Sequence, residues 1–315
     1  MKRVLVTGAN GFVGRYACKY LQAAGWQVRG TIRNQDSTGL PESVEPLVIG
    51  DIAAFDHWEK ALKGVDAVVH LVARTHVIHE KSTDPLPLYR KVNVDGTQRL
   101  IDGCRGASVK RFLFVSSIKA VGESSTTSLT ETDVCEPEDA YGVSKLEAEQ
   151  IVASAAALSM ETVILRPPLI YGPGVLGNFQ RILKAVDRGL PLPLRGTTNQ
   201  RSLLYVENFA AAIAVCLEHP AAANQTFHLA DSEPVSTGDL VRRISLALGC
   251  KPRLVPFPVP LLRMLGTIAR KQDQVSRLVD SLTVSTSKIE HATGWQPEFT
   301  LCQGLAATAQ HYRAA

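Results

Sequence analysis

The stretch "RVLVTGANGFVG", residues 3 to 14, decides the fold. Five residues of strand character run into three glycines spaced three apart, Gly8, Gly11 and Gly14, and a helical period follows from residue 12. Glycine at those points lets the backbone turn tightly, approach a pyrophosphate and pack the next helix close to the strand, while that helix's free N–H groups face the anion. A glycine triplet alone is a weak signal. With a strand before it and a helix after it, the triplet marks a dinucleotide-binding βαβ unit.

Working outward, apolar runs of strand length recur at 26–32, 45–49, 66–72, 111–116 and 161–166, and helical stretches at 12–24, 56–63, 85–105 and 141–157 alternate with them. That alternation predicts an α/β fold with a doubly wound parallel sheet, the Rossmann arrangement. The polar run 123–133 reads as a loop. After about residue 170, Pro and Gly punctuate shorter elements. The expected organisation is a dinucleotide-binding domain over 1–170 and a smaller substrate lobe over 171–315, with an interleaved boundary.

Composition excludes several classes. With 45% hydrophobic and 20% charged residues and a mean hydropathy of +0.03, the chain reads as a soluble globular protein. A net charge of +4 from scattered basic residues offers no footprint for nucleic acid. The six cysteines form no Cys-x-x-Cys pair, which argues against zinc and disulfide frameworks and fits a reducing cytoplasm. Residues 254–269 are apolar but carry three prolines and Arg263, so they predict no integral membrane segment. They read as an amphipathic docking helix, with a peripheral membrane contact left open.

At the second strand the acidic residue that would bind a ribose 2′-hydroxyl is missing: Ile32 stands about where it belongs, and Arg33 follows. An Arg there can pair with a 2′-phosphate, which favours NADP(H) and leaves NAD as the other choice. Asp51 ends the third strand, where a carboxylate could meet an adenine amino group. Tyr141 and Lys145 stand four apart at the start of a helix, and Ser117 ends the strand "RFLFVSS" at the carboxyl edge of the sheet. A phenol needs a neighbouring cation to act as a base near neutral pH, and Lys145 can supply one from a helical turn away. The other reading of the pair, ordinary helix decoration, loses weight beside the glycine loop and the serine strand end.

These motifs, "TGANGFVG", "GDI", "HLVA", "VNVDGT", "FVSSIKAVGE", "YGVSK" and "LRPPLIYGPG", resemble in order and spacing those of the extended short-chain dehydrogenase/reductases, the nucleotide-sugar epimerase/dehydratase group. The resemblance implies a catalytic acid/base in Tyr141, its partner in Lys145, a serine holding the reacting oxygen in Ser117, and support from Asn93. It also implies cofactor contacts from Asn10, Phe12 and Val13 in the loop, Asp51 with Ile52, then Leu71, Val72 and Ala73, Ser116 and Pro168. Where its 4,6-dehydratases carry Asp-Glu after the strand-end residue, this chain has Ile118 and Lys119, which speaks against dehydration.

Residues 177–213 resemble the nucleotide-binding part of UDP-sugar 4-epimerases and, more closely, of 4-reductases acting on UDP-4-keto-6-deoxy-N-acetylhexosamine. By that resemblance Lys119, Asn178, Arg201 and Arg277 meet the substrate, the arginines by bidentate contact with phosphate. A homodimer through the helices at 85–105 and 141–157 is implied as well. The leading expectation is a UDP-4-keto-sugar 4-reductase of surface-polysaccharide synthesis. A UDP-glucose or UDP-N-acetylglucosamine 4-epimerase, a reductase of apolar ketones and a non-catalytic NAD(P)-sensing protein are the alternatives. His76, His79 and Glu80 are close in sequence but not at zinc spacing, so no metal is expected, and the 73–85 segment reads as a loop over the sugar pocket. His70, on an apolar strand, reads as a satisfied core or cofactor-side histidine.

Overall fold

A computed structural model describes residues 2–36, 39–75, 84–156, 160–269 and 271–314. The chain opens β1 (Arg3–Thr7), α1 (Phe12–Ala23), β2 (Gln27–Ile32), β3 (Glu45–Val48), α2 (Trp58–Ala61) and β4 (Ala67–His70). It continues through α3 (Leu86–Arg90), a π turn (Lys91–Asp95), α4 (Gly96–Gly106), β5 (Arg111–Val115), α5 (Ala140–Ala155) and β6 (Glu161–Arg166). Beyond these come β7 (Leu169–Tyr171), α6 (Gly177–Asp187), β8 (Leu192–Arg195), β9 (Leu203–Tyr205), α7 (Val206–Glu218), β10 (Gln225–His228) and α8 (Thr237–Ala247). The last elements are β11 (Leu254–Pro256), α9 (Val259–Ile268), α10 (Gln272–Val279), α11 (Ser287–Thr293) and α12 (Leu301–Ala314).

Seven strands form one parallel sheet in the order β10-β6-β5-β4-β1-β2-β3. The order reverses between β1 and β4, and the crevice outside the strand ends at such a switch point is where open α/β sheets bind ligands. One apolar cluster joins the sheet to α1, α7 and α11 and a second joins it to α2, α4 and α5, so both faces are covered, as a parallel sheet requires. A third cluster, with Tyr171, Phe179, Leu183, Val241 and Leu305, packs the elements after residue 170 together.

The six expected strands are present, with ends one or two residues shorter in places. The seventh, β10, comes from beyond residue 170, and α7 returns with it to pack on the sheet. The long helix expected over 85–105 is interrupted by the π turn, and the helix expected over 56–63 is the single turn of α2. Among the described residues no helix is long and apolar enough to cross a membrane, and all six cysteines are free thiols.

Gly14 is where α1 meets β1. A Cβ there would lie 2.2 Å from the Gly8 carbonyl oxygen and 2.8 Å from Ala9 Cα. Because both atoms are backbone, Gly14→Ala is expected to cost about 1–3 kcal/mol in urea unfolding. The helical Gly106 meets nothing within 4 Å of its built Cβ, and Gly106→Ala should be neutral or stabilising by up to about 1 kcal/mol. Equal losses at the two positions would contradict the close approach.

Candidate active site

The glycine loop forms a cradle at the switch point. Gly8 adopts a left-handed φ of +68°, donates its N–H to Thr31 Oγ1 at 3.1 Å and accepts from the Gly11 N–H at 2.9 Å. Its neighbour across the crevice is Val72, whose N–H, like that of Leu71, donates to Thr7 Oγ1. Asn10 is half-buried in the loop, Phe12 stands edge-on to Tyr16, and Val13 packs on the sheet core. No side chain caps the N-terminus of α1, which leaves its N–H groups for an anion.

Further along the strand ends, Asp51 is exposed, its Oδ1 accepting from the Ala53 N–H at 3.1 Å. Ile52 is buried against Gly96, Ala73 is half-buried and Pro168 buried. Ser116 Oγ is buried without a hydrogen-bond partner among the described residues, and a buried hydroxyl in that state costs energy unless something meets it. Together with the tight loop at Gly8, Gly11 and Gly14 and the uncapped N–H groups of α1, this cradle fits a dinucleotide. Arg33 is exposed just after β2, and among the described residues no carboxylate pairs with it.

The catalytic candidates meet where β5 ends and α5 begins. Asp139 caps α5, its Oδ1 accepting from the Gly142 N–H at 2.7 Å. A Cβ on Gly142 would lie 2.3 Å from the Lys119 carbonyl oxygen, so glycine lets the helix start directly against the turn that follows Ser117. This brings Tyr141 close to the Ser117 side chain. One helical turn on, Lys145 is buried, donates from Nζ to the Val115 carbonyl at 2.7 Å and lies 3.9 Å over the Phe114 ring. Asn93, in the π turn, donates to Ser144 Oγ at 2.9 Å and accepts from the Arg74 N–H at 2.7 Å. The π turn thus braces the helix that carries Tyr141 and Lys145.

Burial pushes the Tyr141 phenol up to about 12; the Ser117 hydrogen bond opposes the rise, and Asp139 and Tyr89 add to it. Burial also pulls the Lys145 ammonium down to about 7, with Glu149 opposing. Desolvation shifts both groups toward their neutral forms, but with its value at about 7 the Lys145 ammonium is still populated near neutral pH, where its charge acts on a phenol that water does not screen. His70 is buried and held down at about 3, chiefly by burial. Its ring nitrogens meet Thr7 and Thr97 at 2.7 and 3.1 Å, which makes it a satisfied core histidine.

On the side facing the second lobe, Lys119 Nζ lies 2.6 Å from Glu123 and 2.7 Å from Asp139. Arg277 of α10 reaches the same two carboxylates at 3.4 and 3.8 Å. Arg201 donates to the Asp280 carbonyl at 3.0 Å and is held below its ordinary value by burial, with Asp280 and Glu123 opposing and Arg277 adding to the fall. Lys119 and Arg277 therefore gather at Glu123 and Asp139, with Arg201 held on the Asp280 carbonyl nearby. Asn178 is exposed in the first turn of α6, and among the described residues no contact joins it to the other three. His76, His79 and Glu80 lie outside the described residues, as does most of the 73–85 segment. Sequence reasoning missed Glu123, Asp139, Thr31 and the buried Arg166–Glu149 pair at 2.6 Å. Of these only Asp139 left a signal, an acidic residue just ahead of a helix start.

A model of the NAD dependent epimerase/dehydratase family matches residues 4–230. A UDP-glucose 4-epimerase of Vibrio cholerae is 40% identical over 100% of this chain and 96% of its own length. An N-acetyl-alpha-D-glucosaminyl-diphospho-ditrans,octacis-undecaprenol 4-epimerase of Escherichia coli O157:H7 is 29% identical over 98% and 94%. Among solved structures, MoeE5 in complex with UDP-glucuronic acid and NAD superposes with a TM-score of 0.80 at 26% identity, covering 99% of each chain. With the glycine cradle, the strand-end serine and the Tyr–Lys helix in place, the chain belongs to the NAD dependent epimerase/dehydratase family and is an enzyme of the short-chain dehydrogenase/reductase type.

Proposed function

We propose that this enzyme is a UDP-sugar 4-epimerase that holds NAD and inverts C4 of a UDP-hexose. The observation that carries the reading is the convergence of Ser117, Tyr141 and Lys145 at the switch-point crevice, beside a C-terminal lobe whose whole length is matched by the Vibrio relative. When bound, the nicotinamide would supply the hydride chemistry at C4. Tyr141 takes the O4 proton in the oxidative half and gives it back in the reductive half. Ser117 hydrogen-bonds O4 and fixes it against the phenol. Lys145 lowers the cost of the phenolate by its charge. Inversion requires the keto sugar to present its other face before hydride returns, so the anchoring belongs at the diphosphate, which Arg201, Arg277, Lys119 and Asn178 would hold. The same reading includes a homodimer through the helical run from α3 to α4 and through α5.

Arg33 favours a second reading. With no acid at the end of β2 and no carboxylate partner for Arg33 among the described residues, the site suits NADP(H) exchanged at every turnover, as in a UDP-4-keto-sugar 4-reductase of surface-polysaccharide synthesis. Acid release of nucleotide from the purified protein separates the two. Stoichiometric NAD, with interconversion of UDP-glucose and UDP-galactose in the absence of added nucleotide, is the expected result. A protein that purifies empty, prefers NADPH to NADH and only reduces a 4-keto sugar would overturn the epimerase in favour of the reductase.

Tyr141→Phe is expected to lower turnover by about 10²- to 10⁴-fold while leaving nucleotide affinity nearly unchanged by calorimetry. Full activity in that variant would remove the phenol from the mechanism.

Lys145 links the site to stability. Its folded-state value, about 7, lies below the ordinary lysine value near 10. Across that window the unfolded chain binds the extra proton, so folding stability rises with pH. Wild type should therefore gain on Lys145→Met between about pH 7 and pH 10 in urea titrations; a difference independent of pH would show that the ammonium is not desolvated.

A further inference from the structure

The segment from Lys251 to Arg277 is unlike the rest of the surface. Within α9, Leu261, Met264, Leu265 and Ile268 fall at i, i+3, i+4 and i+7 and so share one face. They are 40, 51, 45 and 72% exposed, and Val255 just ahead of the helix is exposed as well. The opposite face is the packed one: a Cβ on Gly266 would lie 2.7 Å from Val275 Cγ2 of α10. The two helices form a hairpin with the apolar stripe on its outside.

Charge says what the stripe meets. Between Lys251 and Arg277 there are six Lys and Arg residues and one acid, Asp273, although the whole chain carries only +4. Arg263 is paired with Asp280, and Arg277 with Glu123 and Asp139. Lys251, Arg253 and Lys271 are exposed, and among the described residues none of them forms an ion pair. A second copy of this face would bring like charges together. An anionic bilayer offers an apolar layer under a sheet of phosphates, which matches both features.

We propose that α9 docks the protein on an anionic lipid surface. The stripe of Leu261, Met264, Leu265 and Ile268 lies at the headgroup boundary, with Lys251, Arg253 and Lys271 against lipid phosphates. Arg277, on α10 of the same hairpin, reaches Glu123 and Asp139 beside the catalytic helix, so docking turns the substrate lobe toward the membrane.

The test is flotation of the full-length protein with vesicles of phosphatidylcholine alone and of phosphatidylcholine mixed with phosphatidylglycerol, at low and high salt. The expected result is binding to the mixed vesicles alone, weakened by salt. Lys251→Gln and Lys271→Gln should each weaken it about five-fold. The double variant Leu265→Ser/Ile268→Ser should abolish it while keeping the unfolding midpoint and the NADH affinity of wild type, since neither residue belongs to the site or the core. No binding to mixed vesicles at low salt, or equal binding by the double variant, would overturn the proposal. So would sedimentation velocity in which wild type self-associates and the double variant does not, which would assign the stripe to a second copy.

Discussion

The fold turns on the space at Gly14. A side chain there would run into the Gly8 carbonyl and Ala9, so only a hydrogen lets α1 lie along β1 closely enough to aim its free N–H groups over the strand ends. Gly30 repeats the requirement one strand away, where a Cβ would meet Ala9 and Val44 at 2.5 and 2.8 Å. Once α1 is seated, β2 must lie on one side of β1 and β4 on the other, and the switch point forms between them. The crevice is thus a consequence of backbone packing rather than of any particular polar group.

The placement of Tyr141 and Lys145 depends on a second close approach. Gly142 against Lys119 sets α5 on the end of β5, and this one contact places Tyr141 at Ser117 and Lys145 beneath the sheet edge. The burial that follows has opposite consequences for the two partners. It raises the phenol and lowers the ammonium, so in this state neither carries its charge easily, and any cation delivered to the crevice shifts the pair together. Lys145 keeps its position through the Val115 carbonyl, a backbone partner that does not depend on protonation. Behind it, the buried Glu149–Arg166 pair keeps the negative charge of Glu149 largely compensated. An unpaired Glu149 would bias Lys145 toward the ammonium and leave a buried carboxylate at a cost of several kcal/mol.

How much of this was legible depended on the range of the interactions. The glycine loop, the strand periodicity and the Tyr141–Lys145 spacing are local patterns, and the sheet, the loop at its edge and α5 follow from them. β10 was not legible because "QTFH" is short, half polar and an edge strand, so it has neither the length nor the alternation that marks a strand. The π turn was hidden because its cause is tertiary: Asn93 must reach both Arg74 and Ser144. The carboxylates around Lys119 and Arg277 were missed for the same reason, since Glu123 and Asp139 are joined to Arg277 only when α10 folds back over the loop at 123–133. Charged residues in a polar loop carry no local sign of a partner some 150 positions away.

That charge cluster also joins parts of the chain that lie far apart in sequence. The apolar clusters hold each layer separately, whereas Lys119, Glu123, Asp139 and Arg277 link the catalytic turn to the second lobe by ion pairs at half-buried positions. Such pairs contribute on the order of 1 kcal/mol or less. A ligand phosphate that took a guanidinium from Glu123 would therefore exchange one anion for another at small cost, and a bidentate contact would recover more than was lost. An apolar seam at the same place would have to open water-exposed surface for each binding event, at about 25 cal/mol for every Å². Ion pairing between Arg277 and the turn after β5 is thus the arrangement that could trade partners while the apolar clusters stay closed.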